Sequence, residues 1–394
     1  MKILFVHEVN YLTKVIFEMH EFPELLALRG HEVSFFHYPE APTRARPSLR
    51  SRVERIPGRV HSEASIELIT PTTLGGGRFE RYLAPLLALP ALRSHIRRGR
   101  FDVVVLYAVP TTGWQTLSIA RRRRIPVVFR ALDVSHQIRK SPLEPLVIQA
   151  EKYVYRNADL LSANNPALAE YCVELSGRGG RTEVQLPPID FSHFEHLPHD
   201  DLRPQLGLAA TDRVLLYMGT FFDFSGLDTV IDSLRTEFEQ HPQLRLVLVG
   251  GGELDERLRT QVAEYGLEGR VIFTGVVPYA MLPHYLKLAD VAINPFHPEL
   301  LTHVALPHKV LQYMAAGVPT VSTALRGLQG VLGDDSGVTF VDGPEDVAAA
   351  ARALALQPAS IRRVISARQR KRVQERFSMV TSVDAFERAL SSVT

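Results

Sequence analysis

The chain has 394 residues, of which 45% are hydrophobic, and its 45 Lys and Arg nearly balance its 43 Asp and Glu. This length exceeds what one hydrophobic core usually supports, and the composition is that of a globular protein, so two domains are expected. No apolar run approaches the ~18 residues of a membrane-spanning helix, and the single Cys172 excludes an internal disulfide.

The first half of the chain alternates short apolar strands with helical segments. Met1–Val6 predicts a first strand and not a signal peptide, because no small-residue cleavage site follows it. Residues 39–62 are rich in Pro, Arg and Ser and predict a mobile excursion, and the two prolines of Leu186–Phe191 predict a stiff hinge. The predicted strands are Ile3–Val6, Glu32–His37, Val103–Tyr107, Val127–Phe129, Leu160–Ser162 and Val184–Leu186. One predicted helix ends near Gly30, and three more are predicted at residues 112–123, 143–156 and 166–174.

In the second half, three apolar strands each run into a turn of small residues. Leu244–Val249 precedes Gly250–Glu253, Val271–Phe273 precedes a turn ending at Pro278, and Asp290–Ile293 leads to the helix of Pro307–Pro319. Strands that alternate with helices predict a parallel doubly wound sheet, whose ligand lies at the carboxyl ends of the strands. Helix N-termini at that edge suit a phosphate, so this half is expected to hold a nucleotide or nucleotide sugar.

These turns, in this order, resemble the C-terminal half of the GT-B nucleotide-sugar glycosyltransferases, above all the retaining group called family 4. Two N-terminal segments match that family as well, so the resemblance covers nearly the whole chain. It implies an α/β fold of two Rossmann-like doubly wound domains with a cleft between them, at 1–186 and 187–375, and a C-terminal helix at 376–394 that crosses back to the first domain. The matching segments are Val249–Gly252, Gly275–Pro278, Ala289–Val291, Gln312–Val321, Gly30–Val33 and Ile125–Val128.

The resemblance implies transfer of a sugar from a nucleotide-diphosphate donor of the UDP, GDP or dTDP type to a glycan, lipid-linked or small-molecule acceptor. It also implies retention of the anomeric configuration, with no metal and no cofactor beyond the donor. Two other readings stay open, namely a nucleotide-sugar epimerase of the same fold and a catalytically inactive nucleotide-sugar-binding protein. The helix containing Tyr313–Pro319 argues against the epimerase.

A leaving diphosphate needs positive charge around it, and no Asp-x-Asp pair stands at a strand end to bind a metal. Lys309, in the first turn of a helix, is the candidate cation, since a lysine at a helix N-terminus is misplaced unless an anion is bound. The family's arginine and lysine after the first glycine of this domain correspond here to Thr220 and Ser225, whose hydroxyls donate hydrogen bonds but carry no charge. The backbone at Gly219 completes this predicted diphosphate loop.

The remaining donor contacts follow from the resemblance. Gln312 takes the place of the glutamate that holds the ribose, and the other family glutamate falls at Val304, which cannot bind a sugar hydroxyl. Glu299 or His303 is expected to take that role. Main-chain groups from Val276 to Pro278 are expected to frame the base, and Gly250 and Gly252 to lie near the phosphate.

In the first domain, Asp133 and His136 follow a predicted buried strand, near the family's His-Asp pair, and are candidates to contact the sugar and the acceptor. Arg130 either pairs with Asp133 or meets an anionic acceptor. Asn10 and Tyr11, in the loop after the first strand, are further acceptor-side candidates.

Charge is unevenly distributed along the chain. Residues 1–186 hold 26 Lys and Arg against 18 Asp and Glu, whereas the remainder holds 19 against 25. The basic half either faces an anionic acceptor or the anionic inner leaflet of a membrane, or is a solvated surface. No aromatic residues interleave with the basic clusters, so nucleic acid is not expected. The expected location is cytoplasmic, with peripheral membrane contact left open. His193, His196 and His199 are not expected to bind a metal, because prolines and a hinge surround them.

Overall fold

The computed structural model describes residues 1–39, 47–75, 82–138, 143–195 and 202–394. It divides into two compact units. The first unit is Met1–Pro188 together with Met379–Thr394, and the second is Ile189–Ser378.

The first unit is built on a sheet with the strand order β3-β4-β2-β1-β5-β6-β7-β8, in which β3 is antiparallel to β4 and the other pairs are parallel. Its strands are β1 (Lys2–Val6), β2 (Glu32–Phe36), β3 (Arg52–Pro57), β4 (Ser65–Thr70), β5 (Val103–Leu106), β6 (Val127–Ala131), β7 (Leu160–Ala163) and β8 (Thr182–Val184). Its helices are α1 (Glu18–Leu28), α2 (Ala84–Arg98), α3 (Gly113–Arg122), α4 (Ser135–Ile138), α5 (Glu144–Asn157) and α6 (Pro166–Ser176), with α16 (Met379–Ser391) from the C-terminus.

The edge of this sheet differs from the prediction. The excursion expected at 39–62 is wrong over Arg52–Pro57, which forms β3; its residues 40–46 lie outside the described residues. The side chains of β3 are nearly all exposed, so this edge strand lacks the apolar alternation by which a strand is recognised. The strand predicted at Val184–Leu186 also lies two residues earlier, at β8.

Helix α16 packs on α1 and completes the core of the first unit. The rings of Phe386 and Phe22 lie 4.3 Å apart, and Val383 and Leu390 are buried with them. Val380, three residues before Val383 on the same helix, is 66% exposed. The C-terminal helix is therefore part of the hydrophobic core of the N-terminal unit.

The second unit contains a parallel sheet with the strand order β11-β10-β9-β12-β13-β14. Its strands are β9 (Arg213–Thr220), β10 (Leu244–Gly251), β11 (Val271–Gly275), β12 (Val291–Asn294), β13 (Thr320–Thr323) and β14 (Thr339–Val341). Its helices are α7 (Phe191–Glu195), α8 (Leu227–Gln240), α9 (Asp255–Glu264), α10 (Leu282–Leu288), α11 (Leu300–His303), α12 (His308–Ala315), α13 (Arg326–Leu332), α14 (Pro344–Ala355) and α15 (Ala359–Phe377).

The strand order of the second unit reverses between β9 and β12. Successive strands are added on one side of β9 as far as β11, and the chain then returns to place β12 on its other side. In open α/β sheets, ligands bind outside the carboxyl ends of the strands at such a switch point. The predicted fold class, two doubly wound parallel-sheet domains with a returning C-terminal helix, is confirmed. Across the described ranges, none of the helices has the length and apolar character needed to cross a bilayer.

Truncation of Phe386 tests the role of α16. Phe386→Ala leaves a cavity against Phe22 and should lower the free energy of unfolding by about 3–5 kcal/mol. Val380→Ala, on the exposed face of the same helix, should change it by less than about 0.5 kcal/mol. Urea unfolding followed by circular dichroism measures both variants, and equal losses would contradict the packing described here.

Candidate functional site

The carboxyl end of β9 is a turn that requires glycine. Gly219 has φ +135°, and a Cβ atom placed there would lie 2.9 Å from Lys309 Nζ. Beside it on β10, Gly250 has φ +139°, and a Cβ there would collide with the Gly219 carbonyl oxygen. The two backbones therefore approach each other closely, and Lys309 occupies the space above the turn.

Lys309 is the second residue of α12, and its side chain extends to the end of β9. Nζ donates a hydrogen bond of 2.6 Å to the hydroxyl of Tyr217, and it lies 3.9 Å from the ring centroid of Tyr217 and 4.6 Å from that of Phe296. Nowhere in the described ranges does a carboxylate form a salt bridge with it. Loss of hydration lowers the pKa of Lys309 well below its usual value, whereas the two ring faces and the Tyr217 oxygen favour its charged form.

Two buried tyrosines hold the loop that leaves β9. The hydroxyl of Tyr217 accepts from Lys309 and donates to the Thr220 carbonyl oxygen at 2.9 Å. The hydroxyl of Tyr313, on α12, accepts a hydrogen bond of 2.7 Å from the backbone nitrogen of Met218. Strand β9, the predicted diphosphate loop and α12 are thus joined as one hydrogen-bonded group.

Ser225 and Gln312, two further residues predicted to bind the sugar donor, are both buried. Ser225 is fully buried in a short turn after β9, and its hydroxyl has no hydrogen-bond partner in the described part of the chain. Buried hydroxyls are normally paired, so this one is suited to a ligand atom. Gln312, on α12, is 7% exposed.

The other predicted donor contacts lie on turns and on α11. Val276 follows β11 and is 78% exposed, ahead of Pro278. Glu299 is the exposed N-cap residue of α11, and Val304, just after this helix, is buried. His303, at the end of α11, has a buried Nδ1 without a hydrogen-bond partner in the described ranges. At Gly252, a Cβ atom would lie 2.7 Å from the backbone of Phe221.

In the first unit, His136 is held by a carboxylate that the sequence pattern did not reveal. His136 Nδ1 lies 2.7 Å from Glu151 Oε2, and the His136 backbone nitrogen donates to Glu151 Oε1 at 3.3 Å. Glu151 is fully buried, and burial raises the pKa of its carboxyl group. Its position among the buried residues of α5, with Val154 and Tyr155, is the signal that could have identified it.

Asp133, three residues before His136, follows the carboxyl end of β6. Burial, with the nearby negative charges of Glu151 and Glu8, raises the pKa of its carboxyl group to about 7. Among the described residues it has no hydrogen bond or salt bridge. Near neutral pH, Asp133 therefore exchanges between a proton donor and a carboxylate.

Arg130 does not have either of the roles expected for it. It is fully buried on β6, and its guanidinium forms two hydrogen bonds to the Glu18 carboxylate, at 2.7 and 2.8 Å, and one to Ser162 at 2.9 Å. The pairing with Asp133 and the contact with an anionic acceptor are both wrong, because the partner is a carboxylate on α1. The separation of 112 positions between Arg130 and Glu18 hides this pair from sequence analysis.

The loop after β1 also corrects a prediction. Tyr11 is fully buried, and its hydroxyl donates to Glu24 Oε1 at 2.6 Å, so its side chain is part of the core and not an acceptor contact. Asn10 accepts from the Leu12 backbone nitrogen at 3.0 Å and stays an acceptor-side prediction. His193 stacks on Tyr279 with ring centroids 4.2 Å apart, whereas His196 and His199 lie outside the described residues.

Comparison with known proteins agrees with this architecture. The family described as "Glycosyl transferases group 1" matches residues 198–372, and "Glycosyl transferase 4-like domain" matches residues 19–187. A D-inositol 3-phosphate glycosyltransferase of Thermomonospora curvata is 26% identical over 365 residues, which cover 86% of this chain and 81% of that protein.

Two solved structures share the fold over 100% of both chains. Sucrose-phosphate synthase from Thermosynechococcus elongatus superposes with a TM-score of 0.79 at 21% identity. HepE from Anabaena, in complex with UDP and glucose, superposes with a TM-score of 0.73 at 19% identity. The two family matches, with the relative from Thermomonospora curvata, define a glycosyltransferase. The chain belongs to the GT-B nucleotide-sugar glycosyltransferases of the family 4 type.

Adding one methyl group at Gly219 tests the geometry of the turn. Gly219→Ala places a Cβ against Lys309 Nζ at a φ that disfavours alanine, so it should displace the lysine and weaken nucleotide binding at least about tenfold. Gly330→Ala, in α13 of the same unit, is the control, because a Cβ there would have no neighbour within 4 Å. Titration calorimetry with UDP, GDP and dTDP measures both, and equal affinities would contradict a binding role for this turn.

Proposed function

We propose that the protein transfers a sugar from a nucleoside-diphosphate donor to an acceptor hydroxyl, with retention of configuration and without a metal ion. The observation that carries this proposal is the ammonium of Lys309, which lies without a salt bridge among the described residues at the switch point of the second sheet. A cation held in this way suits a diphosphate, because the departing group gains negative charge as the glycosidic bond breaks.

In this proposal, several groups stabilise the leaving diphosphate. Lys309 and the N-terminus of α12 supply positive charge, and the hydroxyls of Thr220 and Ser225 donate hydrogen bonds. The bond from the anomeric carbon to the phosphate oxygen breaks, and the acceptor oxygen bonds to the same face of the sugar. The departing phosphate oxygen takes the acceptor's proton, so configuration is retained and no protein base is needed.

The remaining predicted residues orient the substrates. Gln312 is proposed to bind the ribose hydroxyls, and the main chain from Val276 to Pro278 to frame the base. Asp133 and His136 are proposed to contact the sugar and the acceptor, with Glu151 fixing the ring of His136. The donor is proposed to be of the UDP type, because the structurally similar HepE was solved in complex with UDP and glucose. GDP and dTDP sugars are the alternatives.

Replacement of Lys309 tests the mechanism. Loss of one donor aimed at developing charge typically lowers turnover by about 10²–10³, so Lys309→Ala should lose kcat by that factor and lose donor affinity less. Lys309→Arg should recover part of the activity, whereas Lys371→Ala, an exposed lysine in the same unit, should have no effect. The assay is release of nucleoside diphosphate from UDP-glucose and other donors, with and without acceptors and in the presence of EDTA.

Three results of that assay would contradict the proposal. Near-normal turnover by Lys309→Ala would place the phosphate site elsewhere. Donor isomerisation without an acceptor would identify an epimerase, and nucleotide binding without any turnover would identify a binding protein.

A basic surface of the first unit supports a second proposal, which is peripheral contact with the anionic cytoplasmic face of a membrane. Eight exposed arginines lie near or just after the C-terminal ends of α2 and α3, which pack against each other, and within the described ranges none of the eight forms a salt bridge. Some of this charge complements the helix dipoles. The set, called here the basic helix ends, is Arg93, Arg97, Arg98, Arg100, Arg121, Arg122, Arg123 and Arg124.

Vesicle sedimentation tests the membrane contact. Phosphatidylserine-containing vesicles should retain the protein, and phosphatidylcholine vesicles should not. Replacing residues 121–124 with alanine should weaken retention by about 1 kcal/mol per arginine. The control removes equal charge from exposed, paired arginines of the second unit: Arg235, Arg257, Arg259 and Arg368. Retention that is insensitive to the first set of changes would contradict the proposal.

A further inference from the structure

A single buried carboxylate holds both the main chain and the ring of His136. Glu151, on α5, is fully buried, and its Oε1 accepts from the His136 backbone nitrogen at 3.3 Å, while its Oε2 lies 2.7 Å from His136 Nδ1. This backbone N–H belongs to the first turn of α4, where N–H groups have no partner within the helix. Because one carboxylate binds the residue at two points, the position of His136 and the rotation of its ring are both fixed.

The contacts of Glu151 determine which ring nitrogen of His136 carries hydrogen. Oε1 also accepts from the Tyr155 hydroxyl at 3.3 Å, and the Tyr171 hydroxyl is farther from Nδ1, at 3.4 Å, than Glu151 is. Burial raises the pKa of the Glu151 carboxyl group, whereas the hydrogen bonds from His136 and Tyr155 lower it. A proton shared by a carboxyl group and an imidazole resides on the imidazole, because their ordinary pKa values are about 4.3 and 6.5. Nδ1 therefore carries hydrogen and donates it to Glu151.

The second ring nitrogen of His136 is left for a ligand. The side chain is 9% exposed, and Nε2 has no hydrogen-bond partner within the described ranges. The residue lies just after the carboxyl end of β6, which is the edge at which parallel sheets bind ligands. With hydrogen on Nδ1, a neutral imidazole has a lone pair at Nε2 and accepts a hydrogen bond there.

We propose that Glu151 is the positioning residue that makes His136 a hydrogen-bond acceptor toward the substrate, so that Nε2 binds a hydroxyl or amine of the sugar or the acceptor. This inference rests on the proposed function, which has His136 contact those groups. A phosphate or carboxylate oxygen at this point has no hydrogen to donate and would lie near the charge of Glu151. The pair therefore selects a group that donates a hydrogen bond over an anionic one.

Glu151→Gln reverses the direction of this hydrogen bond and keeps the shape of the side chain. The new amide oxygen takes both donors of Oε1, which are the His136 backbone nitrogen and the Tyr155 hydroxyl, and this leaves the amide nitrogen against Nδ1. An amide nitrogen only donates, so Nδ1 has to accept, and the ring hydrogen moves to Nε2. Glu174→Gln is the control for the same chemical change, because Glu174 is exposed on α6.

Nitrogen-15 NMR of the full chain, labelled at histidine, measures the tautomer directly, and the signals missing from His136→Ala identify His136. At mildly alkaline pH, where an ordinary imidazole is neutral, we expect the resonance of an unprotonated nitrogen at Nε2 and of a protonated nitrogen at Nδ1. In Glu151→Gln the two assignments should exchange, and in Glu174→Gln they should not. This measurement needs neither sugar donor nor acceptor.

Turnover shows whether the substrate depends on this direction. With UDP-glucose, or the donor that release of nucleoside diphosphate identifies, Glu151→Gln should lower kcat/KM by about ten- to a hundredfold, because an N–H then faces the hydrogen of the substrate group. Affinity for UDP alone should not change, since UDP carries neither sugar nor acceptor. In the His136→Ala background the same substitution should cause no further loss, because Glu151 acts through His136.

A protonated Nε2 in the unmodified chain, or one that stays unprotonated in Glu151→Gln, would overturn the inference and leave the proposed function intact. A further loss of kcat/KM in the His136→Ala background, or an equal loss of UDP affinity, would also overturn it, because either result would give Glu151 a purely structural role. The absence of turnover with every donor sugar would instead overturn the proposed function, and this inference with it, whichever tautomer the ring adopts.

Discussion

A partly buried ammonium that forms no salt bridge among the described residues is the constraint on which the candidate site of the second unit depends. Loss of hydration lowers the pKa of Lys309, whereas the ring faces of Tyr217 and Phe296 and the Tyr217 hydroxyl stabilise its charged form and hold the side chain in place. Gly219 leaves the necessary space, and the two tyrosines tie α12 to β9. The fold thus holds a cation that has no salt bridge in the described chain at the switch point of the sheet, where an anionic ligand would pair with it.

A second buried cation, in the first unit, shows the opposite solution. Arg130 is fully buried, yet the Glu18 carboxylate meets its planar fork with two hydrogen bonds, and the rings of Phe22 and Phe386 lie 5.3 and 5.7 Å from it. A paired cation of this kind has no free capacity for a ligand, and removing either partner leaves an uncompensated charge. Burial alone therefore does not identify a binding residue; the presence or absence of a partner does.

Sequence reasoning was successful where the information is local. The buried strands, the glycine turns and the helix that begins near Lys309 follow from periodicity and short motifs, and they were enough to predict the doubly wound fold. It failed where a residue's role depends on a distant partner. Glu18 for Arg130, Glu151 for His136 and Tyr217 for Lys309 are set by tertiary packing, as is the burial of Tyr11. Strand β3 was missed because an exposed edge strand has no apolar period.

In the first unit, the basic helix ends and the acidic groups around Asp133 lie at opposite ends of the sheet strands. The basic helix ends precede the amino ends of β5 and β6, because α2 leads into β5 and α3 leads into β6. Asp133 follows the opposite, carboxyl end of β6, where burial, with the negative charges of Glu151 and Glu8, raises its pKa. The basic helix ends thus lie away from the edge where parallel sheets bind substrates. We therefore propose that the carboxyl groups near Asp133 favour an acceptor hydroxyl or amine there.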